Sequence, residues 1–251
     1  MAINVNNVYQ TVLLILNKEQ RGYMTPTEFN NIATQVQLEI FEKYFDDLNQ
    51  QLRVPQADAD YADRQENIDE KIAIFKTFGT AAYVNLGVGL QYFTLPTIDS
   101  YGNTVTFYRL GDVLYNGTTV AGRLDRTEFY YADQSGLTKP SKTFPIYLYE
   151  NNKLFVKPLS ITSDITVDYV RKPANVIWGF NTGNLGQYVY NSTEYNVNSQ
   201  PTGSVNFELH ESEQSEVVLK ILLYAGIVIR DPQIVQAAAA QVQADEINKK
   251  S

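Results

Sequence analysis

Apolar residues at helical spacing mark the start of the chain. Val5, Val8 and Val12 lie three and four residues apart, which predicts a first amphipathic helix. A second helix is predicted to begin at residues 25–28 (Thr-Pro-Thr-Glu), because the threonine can cap it, the proline suits its first position and the glutamate can complete a capping box. An apolar stripe then predicts a helix as far as Gln51: Phe29, Ile32, Ala33, Val36, Ile40, Tyr44 and Leu48.

A polar and acidic stretch, residues 56–70, is predicted to form a solvated connection before a short closing helix. Asp58, Asp60 and Asp63 in this stretch resemble the beginning of a calcium-binding loop. The glycine and the terminal glutamate that such a loop requires are missing at the corresponding positions. We therefore expect no metal site in this stretch.

The pattern changes between residues 80 and 210. Short runs of alternating apolar and polar residues, such as 165–170, are separated by glycines and prolines, which is typical of antiparallel strands. Asn151 and Asn152 lie between two such runs and predict a two-residue hairpin turn. The region therefore predicts an antiparallel β domain, a small sandwich or barrel, with a long loop or an extra hairpin over residues 179–204.

Helical spacing returns after residue 210. Val217, Ile221 and Ala225 belong to a broad apolar face, and Pro232 is predicted to separate this helix from a last one. Since the apolar faces at the two chain ends need each other for burial, the sequence predicts an α+β fold, in which a helical bundle from both chain ends carries the inserted antiparallel β domain. The predicted bounds are 1–79 for the N-terminal helical part, 80–210 for the inserted domain and 211–251 for the C-terminal helices.

Composition excludes several classes of function. The 251 residues include no cysteine and one histidine, His210, which excludes thiol chemistry and a multi-histidine metal site within one chain. No nucleophile elbow and no phosphate-binding glycine loop is present, and no cofactor is predicted. Acids outnumber bases by 28 to 20, a formal charge of -8, which disfavours tight binding to nucleic acid. The composition therefore favours a role other than catalysis.

The sequence also bears on the compartment. The first residues lack the basic and apolar regions of a signal peptide, and the longest apolar runs are far shorter than the ~20 residues of a membrane span. We therefore expect a soluble protein that is made in the cytosol and has no membrane partner.

Three stretches carry a resemblance to a known family. They are residues 16–30 (LNKEQRGYMTPTEFN), residues 168–173 (DYVRKP) followed by Trp178, and residues 207–232, which include FELHESE and LLYAGIVIRDP. Together they resemble virion structural proteins of crAss-like and related tailed bacteriophages. Those proteins are similar to the head-to-tail adaptor, or tail tubular protein A, family of short-tailed phages.

The resemblance implies a helical bundle with an inserted β domain, assembled as a ring of twelve copies beneath the portal. DNA would pass through the lumen of this ring without specific binding. The implied partners are other copies of this chain, the portal protein and neighbouring tail or ring proteins. The implied location is the virion, after assembly in the bacterial cytoplasm. No catalytic, cofactor-binding or metal-binding residue is implied.

Two sets of residues are candidates for functional surfaces in such a ring. Aromatic residues give contact area at a low entropic cost in interfaces, and small residues in the last helix suit a close neighbour. The interface candidates are Trp178, Tyr188, Tyr190, Ile234, Val235, Val242 and Ile247. The candidates for an acidic channel face, which would repel DNA phosphate, are Asp58, Asp60 and Asp63.

Two other interpretations stay open. The β region holds most of the 18 tyrosines and could form a receptor- or glycan-binding virion module by stacking on sugars. The paired carboxylates of a glycan hydrolase come together only in the fold, so sequence alone does not remove that class. A closed ring would favour the connector protein. A monomer or trimer that binds glycans would favour the glycan-binding module, and glycan turnover would favour the hydrolase.

Overall fold

The computed structural model describes residues 2–18, 24–53, 59–87, 91–100, 102, 104–192, 203–229, 236 and 239–244. The chain divides into two compact units, which we call the helical unit (Met1–Ile74 with Pro173–Ser251) and the sandwich unit (Phe75–Lys172). Helices occur toward both chain ends with the β region inserted between them, so the predicted α+β fold is confirmed. The inserted unit is shorter than the predicted 80–210, because the chain after Lys172 packs with the helices.

Three helices precede the insertion: α1 (Val5–Lys18), α2 (Pro26–Arg53) and α3 (Ala59–Ala73). The capping box at the start of α2 is confirmed. The backbone N–H and the hydroxyl of Thr25 donate to the Glu28 carboxylate at 2.9 and 2.7 Å, and the Glu28 N–H donates to the Thr25 hydroxyl at 3.4 Å. Pro26 is the first helical residue, as the pattern predicts.

The acidic stretch at residues 56–70 is helical from Ala59 on, so the helix begins earlier than the short closing helix that the sequence predicts. Eight of the fifteen residues of α3 are Ala, Glu, Gln, Lys or Arg, which lose little side-chain freedom in a helix. Ile72 near its end is buried and ties it to the core. The predicted end of α2 at Pro55 lies outside the described residues.

Short strands and a short helix make up the sandwich unit. In chain order they are β1 (Lys76–Thr80), β2 (Ala82–Asn85), β3 (Gln91–Thr94), β4 (Phe107–Tyr115), β5 (Thr119–Val120), β6 (Gly122–Arg123), α4 (Arg126–Gln134), β7 (Ile146–Glu150), β8 (Lys153–Lys157) and β9 (Ile165–Arg171). One sheet has the strand order β1-β9-β4-β5 and the other β2-β3-β8-β7-β6. Neighbouring strands are antiparallel except β6 and β7, which are parallel.

The two sheets of the sandwich unit share one apolar core. Phe93 and Leu154 from one sheet and Val113 and Val167 from the other are buried in a single cluster. No closed barrel forms among the described strands, so the β region is a sandwich. The predicted Asn-Asn turn is confirmed: it joins β7 to β8, and both asparagines have positive φ angles, 50° and 55°.

The chain returns to the helical unit through a hairpin, β10 (Phe180–Thr182) and β11 (Tyr188–Tyr190), a 3-10 turn (Glu211–Glu213) and α5 (Gln214–Ile229). Residues 236 and 239–244 also have helical backbone, whereas the predicted break at Pro232 lies outside the described residues. No described helix is long and apolar enough to cross a bilayer.

The core of the helical unit joins the two chain ends. α5 packs against α1 and α2, and α2 packs against α3. Phe29 on α2 and Ile221 on α5 are completely buried. Ile3 and Phe207 form an antiparallel bridge, so residues about 200 positions apart close the same core.

Candidate subunit interface

An extended segment, residues 174–178, crosses one face of α2 and leads to Trp178; we call it the strap. Three polar residues of α2, spaced four and three positions apart, bond to the backbone of alternate strap residues. Seven helical residues rise about 10.5 Å and four extended residues about 13 Å, so the two repeats differ by less than one extended residue over three successive pairs. The pairs are Asn30 with Trp178, Thr34 with Val176, and Gln37 with Ala174.

Gln37 is the most buried of these polar residues, with 1% of its surface exposed. Its amide nitrogen donates to the Ala174 carbonyl at 2.7 Å, and its amide oxygen accepts from the Glu208 N–H at 2.8 Å. One side chain therefore satisfies backbone groups of two segments that would otherwise lose their hydrogen bonds on burial.

Trp178 is fixed by contacts with the N-terminal part of the chain. It is 5% exposed, and its indole N–H donates to Asn6 Oδ1 at 3.1 Å. Its ring centroid lies 4.4 Å from that of Tyr9, whose hydroxyl donates to the Met24 carbonyl. Trp178 is one of the predicted interface residues, and within this chain it is buried and supports the hairpin that follows.

The hairpin β10–β11 is built outward from Trp178. The Trp178 ring stacks on Phe180 with centroids 6.0 Å apart and lies 5.6 Å from Tyr190. Phe180 in turn makes an edge contact with Tyr188 at 4.9 Å. Exposure rises along this series, and Tyr188 is 40% exposed. Three of the predicted interface residues, Trp178, Tyr188 and Tyr190, therefore lie in one aromatic series.

We call residues 180–190 the arm. At its tip the Gly183 N–H donates to the Gln187 carbonyl at 2.8 Å, and Gly186 has a φ of +79°, which favours glycine. Leu185 at the tip is 93% exposed, and Val189 is 49% exposed. The arm contains no charged residue. The exposed apolar and aromatic residues of the arm, Leu185, Tyr188 and Val189, form the candidate contact surface of the helical unit.

The base of the arm is tightly held. A Cβ on Gly179 would lie 2.7 Å from the carbonyl carbon of Gly203, so the two segments cross here only because residue 179 lacks a side chain. The Gly179 N–H donates to Ser204 Oγ at 3.0 Å, and this hydroxyl donates to the Asn191 carbonyl at 2.6 Å. The arm is therefore anchored by both packing and hydrogen bonds.

A partly buried charge cluster joins α2 and α3 to the C-terminal helices. Lys71 forms an ion pair with Glu213, whose side chain is 3% exposed. Lys43 lies 3.2 Å from Glu216, and Lys220 lies within 4.0 Å of the same carboxylate. We use the name charge cluster for Lys43, Lys71, Lys220, Glu39, Glu213 and Glu216.

Tyr44 lies beside this cluster. Its ring is 5.6 Å from the Lys71 ammonium, and its buried hydroxyl has no hydrogen-bond partner among the described residues. Burial raises the pKa of Tyr44 strongly, and the nearby carboxylates of Glu213 and Glu216 raise it further. The phenol therefore stays neutral at all physiological pH values.

The remaining predicted residues are less fully described. Asp60 and Asp63 lie on α3, and the structure describes only their backbone. Val242 is half-buried in the helical segment 239–244. Four further candidates lie outside the described residues: Asp58, Ile234, Val235 and Ile247.

The described residues form no cluster of metal ligands, and the single histidine has a structural role. No group of three or more His, Cys, Asp or Glu residues among them could hold a metal ion. His210 Nδ1 accepts from the Ser212 N–H at 3.3 Å and lies 2.9 Å from the Ser212 hydroxyl, so the imidazole caps the 3-10 turn.

No protein-family model matches the chain, and no curated protein matches it.

Proposed function

We propose that this protein is a structural ring component of a tailed-phage head-to-tail connector, which docks below the portal and forms part of the DNA conduit. The observation that carries the proposal is the arm, an uncharged aromatic hairpin anchored on buried Trp178 with an exposed leucine at its tip. Subunits of a cyclic ring meet through two different surfaces, and the arm suits one of them. Interface cores are enriched in aromatic residues and depleted of charge, as the arm is.

The resemblance of residues 16–30, 168–173 and 207–232 to connector proteins supplies the class of assembly. The architecture that this resemblance implies, a helical bundle with an inserted β domain, agrees with the fold. Neither line of support depends on the arm.

The distribution of charge suits a conduit for DNA. The helical unit contains 20 acids and 10 bases, a net charge of -10, whereas the sandwich unit contains 8 acids and 10 bases, a net charge of +2. A lumen lined by the acidic unit would repel phosphate and let DNA slide without the salt-dependent grip of lysine and arginine. In this proposal Asp58, Asp60 and Asp63 belong to the channel face.

The test is electron microscopy of the protein co-expressed with the portal protein of the same phage. We expect closed rings seated on the portal axis. A monomer that stays separate from the portal would contradict the proposal. A trimer located on a fibre or spike of the virion would contradict it too, and would favour the receptor-binding alternative.

A further inference from the structure

A groove of about 470 Å³ opens in the sandwich unit. It is lined by residues 94–97 and 105–108, together with Tyr149 on β7 and Asn152 in the turn that follows. Its volume falls within the roughly 300–1,000 Å³ of small-molecule sites. All of these residues belong to the same compact unit.

A β-bulge lies in the stretch of β4 that lines this groove. Phe107 pairs with Arg171 and Arg109 pairs with Val170, so Tyr108 is the extra residue of the bulge. Phe107 packs on the core of the sandwich unit, with its ring centroid 5.6 Å from that of Tyr169. Tyr108 also lines the groove and is 39% exposed, so its ring is accessible to a ligand.

A third aromatic residue connects this surface to a hydrogen-bonding group. The Tyr149 ring centroid lies 6.4 Å from that of Phe107. The Tyr149 hydroxyl donates to Asn152 Oδ1 at 3.0 Å. Burial raises the pKa of Tyr149 despite the opposing effect of Arg123, so the hydroxyl remains a donor at neutral pH.

The other polar groups of the groove are uncharged. Thr97 and Thr106 are exposed at its edge, and Asn152 supplies an amide. The lining residues include no Asp, Glu, Lys, Arg or His. The lining residues themselves therefore offer no cation to a phosphate group and no carboxylate to a metal ion.

We propose that this groove binds a neutral oligosaccharide. The apolar C–H face of a sugar ring packs on aromatic rings such as Tyr108 and Tyr149, and its hydroxyls bond to amide and hydroxyl groups such as those of Asn152 and Thr106. A single-stranded nucleic acid also stacks on aromatic residues, but such sites carry a basic track for the backbone that this groove lacks. The site is separate from the arm, and the inference does not rest on ring assembly.

The test is titration of the intact protein with neutral trisaccharides, followed by saturation-transfer NMR and calorimetry. The probes are maltotriose, cellotriose and triacetylchitotriose, with sialyllactose as a charged comparison. We expect saturable binding of at least one neutral probe and weaker binding of the charged one. Failure of all the neutral probes to saturate at up to about 10 mM, or equal binding of sialyllactose, would overturn the proposal.

The turn between β7 and β8 offers a matched pair of variants. Asn151 and Asn152 both have positive φ, so glycine suits either position, but only Asn152 lines the groove. We expect Asn152→Gly to weaken binding of the trisaccharide about tenfold and Asn151→Gly to leave it unchanged, with equal thermal unfolding midpoints. Equal affinities of the two variants would refute the site.

Tyr108→Ala gives an independent check on the stacking surface. We expect roughly a tenfold loss of affinity without loss of the fold, because Tyr108 is partly exposed. Wild-type affinity in Tyr108→Ala would contradict the aromatic platform. The Asn152→Gly protein should still assemble into portal-bound rings. Loss of oligosaccharide binding and loss of ring assembly are therefore measured independently, and either proposal can fail without the other.

Discussion

The helical unit and the sandwich unit reach stability in different ways. The sandwich unit is one continuous segment whose two sheets bury a shared apolar and aromatic core. The helical unit joins both chain ends and carries a net charge of -10. It depends on buried hydrogen bonds between α2 and the strap and on the ion pairs of the charge cluster. Loss of a single polar side chain should therefore damage the helical unit far more than the sandwich unit.

The only tryptophan of the chain makes this comparison measurable. Trp178 is buried in the helical unit, so its fluorescence reports the unfolding of that unit. The sandwich unit contains no tryptophan and is followed by circular dichroism of its strands and by tyrosine signals.

We expect the largest effect at Gln37. Gln37→Leu removes the partners of the Ala174 carbonyl and the Glu208 N–H, and should lower the free energy of unfolding of the helical unit by about 3 kcal/mol. Urea titration of Trp178 fluorescence measures this loss. Gln35→Leu, at an exposed position of the same helix, is the control and should cost less than about 0.5 kcal/mol. Similar losses in both variants would show that the strap bonds do not stabilise the unit.

A comparison of two ion pairs should give the next largest effect. Lys71→Met leaves the buried Glu213 carboxylate without its ammonium partner, and should cost the helical unit about 2 kcal/mol. Arg126→Met breaks the pair with Glu150 on the exposed surface of the sandwich unit and should cost at most about 0.5 kcal/mol. Equal losses from Lys71→Met and Arg126→Met would contradict a stabilising role of the buried pair.

The charge difference between the units predicts an effect on DNA transfer. Replacing Asp58, Asp60 and Asp63 with lysine should slow DNA ejection from intact particles about tenfold at low salt, and less as salt rises. Asp125→Lys with Glu128→Lys in the sandwich unit is the control and should leave ejection unchanged. Unchanged ejection in the triple variant would remove these aspartates from the channel face.

The smallest effects should depend on pH with opposite signs in the two units. The Thr25 capping bonds lower the pKa of Glu28, so the stability that they give the helical unit is present above the ordinary glutamate pKa and is lost as pH falls through the lowered one. Burial, and then Asp112, raise the pKa of Asp168, so the sandwich unit loses stability as pH rises through that raised value.

Urea titrations between about pH 3 and pH 7 check both signs. Glu28→Gln should flatten the acid side of the Trp178 fluorescence curve, and Asp168→Asn should flatten the fall of the strand signal at higher pH. The same sign of pH dependence in both units would contradict this assignment.

Local signals in the sequence predicted much of the fold. The capping box at Thr25 and Glu28, the Asn-Asn turn and the alternation of β9 each depend on residues close together in the chain. These features form as predicted because interactions between residues close in sequence determine them. The helical periodicity at both chain ends also predicted that those ends share a core.

Two helices, α3 and α4, were not predicted correctly, because their local sequence pattern does not favour the helix that the tertiary structure contains. α3 lacks a strong apolar stripe, so its acidic composition predicts a connection where the structure has a helix. α4 buries only Phe129 and includes Tyr130 and Tyr131, residues favoured in strands, so no helix was predicted there.

The candidate sites were only partly predictable. Trp178, Tyr188 and Tyr190 were singled out by residue type, but their aromatic series depends on the hairpin register. The strap was missed, although Asn30, Thr34 and Gln37 follow the apolar stripe of α2 at helical spacing. Polar residues at such positions are a usable signal for a buried backbone partner. The groove includes Tyr108, the extra residue of a bulge that no sequence pattern predicts.

The most direct test compares two leucines that are almost completely exposed, one in each unit. Leu185 at the tip of the arm is 93% exposed and Leu137 in the sandwich unit is 95% exposed, so aspartate at either position should leave the fold unchanged. Electron microscopy of each variant co-expressed with the portal protein measures assembly. We expect rings for the wild type and for Leu137→Asp, and none for Leu185→Asp. Rings from Leu185→Asp as abundant as those from Leu137→Asp would contradict a role of the arm in ring assembly.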